Sequence, residues 1–219
     1  MKPRKISAWA SLIMAIMPIT VGAATVLTFD DIPLQGYGGP MPSSYGGLQW
    51  YNFGLLDPLL FPGNPGGYLN GMVSPSHVAF NAWANADGST TGSFYCNSVF
   101  NFDSAYVTAA WNDSLQLTAL GSLGGALIYS NTYTLNTTGP SLINFNFDGI
   151  DRVDFISRGG TPHGYEFGGT ETAFDNLTIT LIPEPCSTAI LFVGIALVAG
   201  VNLRPYRRVQ PLPRSTIRA

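Results

Sequence analysis

Apolar and polar residues alternate at period two through most of the middle of the chain. Ala105, Val107, Ala109 and Trp111 alternate with Ser104, Tyr106 and Thr108, and Leu115, Leu117 and Ala119 resume the pattern after Asn112-Asp113, so these two runs predict a hairpin. After GSLGG a longer run sets Leu127, Tyr129, Tyr133 and Leu135 against Ile128, Ser130, Thr132 and Thr134, and TTGP ends it. Ile143, Phe145 and Phe147 alternate up to a predicted turn at DGID, beyond which Val153 and Phe155 open another strand. The last strand, ETAFDNLTITL, carries Ala173, Leu177, Ile179 and Leu181 on one face and Phe174 on the other.

No segment of this body sustains a 3.6-residue period. Short strands spaced by Gly and Pro turns predict an all-β domain over residues 24–181, an antiparallel β-sandwich or jelly roll with little helix. Gly36 to Pro75, rich in Gly, Pro, Tyr and Asn, is the least regular stretch and is expected to form long loops around a strand near Gly47–Phe53.

The ends follow another pattern. Lys2, Arg4 and Lys5 precede an apolar run from Ala8 to Val21, and Val21 and Ala23 fit the two small positions required by signal peptidase; residues 1–23 therefore read as a signal peptide. From Cys186 to Leu203 runs an apolar segment of 18 residues, at the lower edge of the roughly 17–25 that span a bilayer. Arg204, Arg207 and Arg208 follow at once, the flank expected on the cytoplasmic side, so a transmembrane helix over about 187–203 would leave the body outside and the tail 209–219 within.

Charge agrees with that topology. Between Thr25 and Ile182 stand two basic residues, Arg152 and Arg158, against twelve acidic ones, a net charge of −10, whereas the whole chain carries −3. An acidic body argues against nucleic acid or anionic lipid as its partner and leaves neutral sugars, cations and basic surfaces open.

Pro183-Glu184-Pro185, then Ser187-Thr188, one apolar helix and an arginine cluster resemble the sorting signal of the PEP-CTERM family, over residues 182–208. Cys186 stands where that family usually has Ser or Ala. The resemblance implies an exported bacterial protein held in the inner membrane as a precursor, whose tail is handled by the membrane protease exosortase. It also implies a mature structural or adhesive role at the cell surface or in the extracellular matrix, beside exopolysaccharide. TFDDIP, GIDRVDFISRGGTPHG and FDNLTI resemble exported domains found upstream of such tails, which implies a carbohydrate-binding-like sandwich without a transferable activity. A lectin-like module and a permanently anchored single-pass protein are the alternatives.

Candidate chemistry in the body is sparse. No zinc spacing, G-x-S-x-G elbow, P-loop or dinucleotide fingerprint occurs, so the sequence points away from an enzyme. Asp30 and Asp31 end the first strand and Asp175 lies in the last; since first and last strands commonly run side by side, these acids are a candidate structural calcium site, with turn capping as the competing role. Tyr45, Tyr68 and Tyr165, together with Tyr37, lie in Gly-rich segments and are candidate sugar contacts, whereas Trp50 and Trp111 fall within strand patterns and are expected in the core. Cys96 and Cys186 could pair in an oxidising compartment; a disulfide reaching into a segment that is to be cut off makes poor sense, and Cys96 is expected as a small apolar residue.

Overall fold

A computed structural model describes residues 22–81 and 91–183. The predicted signal peptide up to Val21, Glu184 and Pro185 of the sorting motif, the transmembrane segment 187–203, Arg204, Arg207, Arg208 and the tail 209–219 lie outside the described residues. In chain order the elements are β1 (Ala24–Leu27), β2 (Gly38–Pro40), β3 (Ser44–Tyr45), β4 (Leu48–Tyr51), β5 (Phe53–Leu56), α1 (Gly67–Gly71) and β6 (Val78–Asn81). They continue with β7 (Thr91–Ala109), β8 (Asn112–Asp113), β9 (Leu115–Leu123), β10 (Ala126–Leu135), β11 (Ser141–Arg158), β12 (Thr161–Pro162) and β13 (Thr172–Leu181). The fold is all-β and antiparallel, with one short helix among the described residues. None of these residues forms a helix long and apolar enough to cross a membrane.

Two long strands organise the sheet. The first part of β7, Thr91–Tyr95, pairs with Arg152–Ile156 of β11 and with β4, while its second part, Phe100–Ala109, pairs with Ser141–Ile150 of β11 and with β13. Register shifts between Asn144 and Arg152 bend the pair where it passes from one half to the other. One half continues from β11 through β9 to β10; the other continues from β13 through β6 and β5 to β2. β1 also pairs with β13, Ala24 opposite Thr180, as expected for neighbouring first and last strands.

The two halves close on each other in a sandwich-like core. Phe155 of β11 lies within ring contact of Phe53, Phe94, Phe102, Phe145 and Phe174, drawn from both halves, and all six rings are buried. Apolar burial of this kind contributes about 25 cal/mol per Å² removed from water, so the aromatic cluster stabilises the contact between the two halves.

The structure corrects the strand pattern at four places. β7 and β9 do not form a hairpin: β11 lies between them, because Asn112-Asp113 is engaged elsewhere, pairing with Thr161–Pro162. DGID does not end a strand; β11 runs through it, with Gly149 at φ 69° accommodating the bend that any Cβ would strain. Leu127, expected on one face with Tyr129, Tyr133 and Leu135, is 59% exposed, since a register shift between Leu127 and Tyr129 breaks the alternation. In β13, Asn176 at φ 47° inserts a bulge after Asp175, so Phe174 joins Leu177 and Ile179 in the main core while Ala173 faces the other way.

That reversal creates a second, smaller core. β5 and β6 are buried at every position because both of their faces are covered. Leu55 and Ala79 face the main core, whereas Leu56, Val78 and Phe80 pack with Tyr68, Ala110, Trp111 and Ala173 beneath the irregular 57–75 segment. A short apolar run without alternation, such as VAF, fits this double burial.

Candidate functional site

The irregular segment is held down by a close backbone contact. Gly67 opens α1 against the end of β7, its N–H donating to the Ala110 carbonyl at 2.8 Å; a Cβ there would fall 1.8 Å from the Ala109 carbonyl oxygen, so only glycine permits the approach. This seats Tyr68 over Phe80 and Trp111, with ring centroids 5.3 and 5.4 Å away. From Trp111 the aromatic series continues to Phe167 at 5.8 Å, to Phe61 at 5.5 Å and to Tyr37 at 5.3 Å.

These six rings, from five separate stretches of the chain, line a cavity of about 400 Å³. Tyr68 forms its floor at 4% exposure, and Tyr37 and Phe167, 47% and 45% exposed, form its rim. Tyr37–Phe61, Phe61–Phe167 and Tyr68–Trp111 meet edge to face, the arrangement favoured by the ring quadrupole.

Glu171 supplies the cavity's only charged side chain among the described residues. Its backbone carbonyl accepts the Ala110 N–H at 3.0 Å, which fixes the loop before β13 against the end of β7. One carboxylate oxygen, Oε2, is buried and has no hydrogen-bond partner among the described residues. Burial raises the Glu171 pKa, and hydrogen bonds from its own backbone and from the Trp111 indole oppose the rise. Burial also pushes the Tyr68 hydroxyl well above its ordinary value; the Glu171 charge adds to that shift and Trp111 opposes it.

The predicted site residues are dispersed. Asp30 accepts the His77 N–H at 2.9 Å, Asp31 accepts the Tyr45 hydroxyl at 2.7 Å, and Asp175 accepts from Val73, Ser74 and Asn176. Among the described residues no group of three or more acidic, His or Cys side chains is placed to hold a metal, so Asp30, Asp31 and Asp175 are not brought together as one ligand set. Their oxygens take turn and loop donors, a role weighed for them from sequence.

The tyrosines divide. Tyr68 is buried, contrary to the exposure expected of a Gly-rich loop, because the glycines on either side of it let α1 sink onto β7. Tyr45 bridges Asp31 and the Phe29 N–H, and burial followed by Asp31 raises its pKa above the ordinary tyrosine value. Tyr165 stacks on His163 at 4.6 Å, and the His163 imidazole in turn meets Asp113 at 2.6 Å. Trp50 and Trp111 are buried as expected, and Cys96 is a free, half-buried thiol packed against the main core.

Phe61, Phe167 and Glu171 were not legible as site residues. Phe61 and Phe167 stand beside Gly and Pro in LLFPGNPGG and GYEFGG, and a search of Gly-rich segments for all aromatics, not only Tyr and Trp, would have found both. Nothing local distinguishes Glu171 from the other acids. No family model matches the chain, and no curated protein matches it.

Proposed function

We propose that this chain is an exported PEP-CTERM-type protein, made with a cleavable signal and held in the inner membrane by its C-terminal helix. Exosortase recognises Pro183-Glu184-Pro185 and releases the body to the cell surface or matrix. There the sandwich, of jelly-roll type in the finer reading, is structural or adhesive beside exopolysaccharide.

The observation that carries this reading is where the sheet begins and stops. β1 starts at Ala24, directly after the expected signal-peptidase cut. β13 ends at Leu181, and the Ile182 N–H makes one further bond, to the Val99 carbonyl at 3.1 Å, immediately before the motif. Ala24 opposite Thr180 brings both boundaries to one end of β13. Two prolines fix an extended backbone without regular hydrogen bonds, the form in which a protease takes its substrate.

Replacing Pro183-Glu184-Pro185 by three alanines in the producing bacterium tests the reading. Precursor is expected to accumulate in the membrane fraction, with loss of body from the surface; unchanged release would remove the motif from the account and favour a different route.

A further inference from the structure

The aromatic cavity has chemistry that sorting does not use. We infer that it is a binding site for a compact organic ammonium ion, a cationic nitrogen carrying methyl or methylene groups, held by the ring walls with Glu171 as counter-charge. The inference stands apart from the export reading and does not depend on it.

Three observations support it. Six aromatic residues line the space, and aromatic faces carry the negative lobe of the ring quadrupole, which attracts a cation most strongly where water is excluded. Among the described residues no Lys, Arg or His lines the cavity, and the one charged group there is the Glu171 carboxylate, whose buried Oε2 has no donor among them. A positive charge held in the adjacent cavity offsets the cost of that orphaned acceptor without needing a bond to it. The acidic body adds a long-range field that gathers cations.

A neutral pyranose suits the space less well. Each ring hydroxyl taken from water needs a partner, and the side chains of the described lining offer one carboxylate, two tyrosine hydroxyls and an indole N–H already turned to Tyr68 and Glu171. An alkylammonium ion brings apolar surface and one charge, the two things the walls can meet. About 400 Å³ lies toward the small end of ligand pockets, consistent with a compact guest.

The test is calorimetric titration of the full-length chain, in a non-ionic polyoxyethylene detergent, with choline, with its neutral isostere bearing tert-butyl in place of trimethylammonium, and with methyl glucoside. Choline is expected to bind at least about tenfold more tightly than the isostere, because only it engages the charge. Glu171→Gln is expected to lose about tenfold or more of that affinity. Phe167→Ala, at the exposed rim where the fold has little to lose, should lose several-fold. Choline affinity should also fall as pH is lowered through the Glu171 titration. Equal binding of choline and its isostere, binding of methyl glucoside without choline, wild-type affinity in both variants, or no binding of any probe would each overturn the inference.

Discussion

The Asp175 carboxylate of β13 captures Ser74, accepting its backbone N–H at 2.8 Å and its hydroxyl at 3.0 Å across a sequence separation of 101. The Val73 N–H adds a third bond at 2.6 Å. These bonds tie the end of the irregular 57–75 segment to the bulge of β13, and burial nevertheless raises the Asp175 pKa, because desolvation outweighs the donors. Asp175→Ala would leave three backbone N–H groups, those of Val73, Ser74 and Asn176, without their acceptor and is expected to destabilise the protein by about 3 kcal/mol. Asp175→Asn keeps one acceptor oxygen and should cost less. Urea unfolding of the two variants checks the order; equal stability of Asp175→Ala and wild type would contradict the tether.

Phe155 is the ring on which the two halves of the sheet meet. Phe155→Ala is expected to cost about 3–5 kcal/mol, the range for a large buried aromatic replaced by Ala. Leu127→Ala, at an exposed position, should change stability by less than about 0.5 kcal/mol. A chemical denaturation midpoint that moves equally for both would refute the placement of the core.

Asp113 gives a pH dependence of definite sign. The Thr137 N–H, then His163 and the Thr137 hydroxyl, hold its carboxyl down to about 2, against 3.8 for an unperturbed group. The ionised folded form is therefore favoured, so this stabilisation is complete above about pH 4 and is lost as pH falls toward 2. In Asp113→Asn the stability difference from wild type should shrink across that window. Denaturation midpoints measured through it decide the matter, and a constant difference would contradict the role of Asp113.

Val26 lies directly opposite Thr178 in the β1–β13 pair. With Cys96 and Cys186 changed to Ser, Val26→Cys with Thr178→Cys should oxidise to an intramolecular disulfide, the two Cα atoms being neighbours across an antiparallel ladder. Mass spectrometry under non-reducing conditions reports it. Two free thiols under oxidising conditions would show that β1 is not seated there.

Much of the strand content was legible because half-buried strands repeat at period two, as Ile143, Phe145 and Phe147 do. Their partners were not, because pairing is non-local: nothing near Asn112-Asp113 announces that β11 will come between β7 and β9. The bulges at Asn176 and in the Asp148-Gly149 region reverse or bend a face within one residue, and alternation alone cannot foresee that. The cavity was hidden for a related reason. Tyr37, Phe61, Trp111 and Phe167 become neighbours only once the irregular segment folds over the outer face of β5 and β6. Tyr68 misled because glycines that signal a loop here allow a helix to pack without side chains between it and the sheet.

The sorting account is tested most directly by intact-mass and peptide mass spectrometry of the protein recovered from the cell surface and the surrounding medium. The account predicts a body that begins at Ala24 and lacks the apolar segment and the arginines after the Pro183-Glu184-Pro185 motif. Recovery of only full-length chains, still carrying Arg204, Arg207 and Arg208, would contradict it and leave a permanently anchored protein in its place.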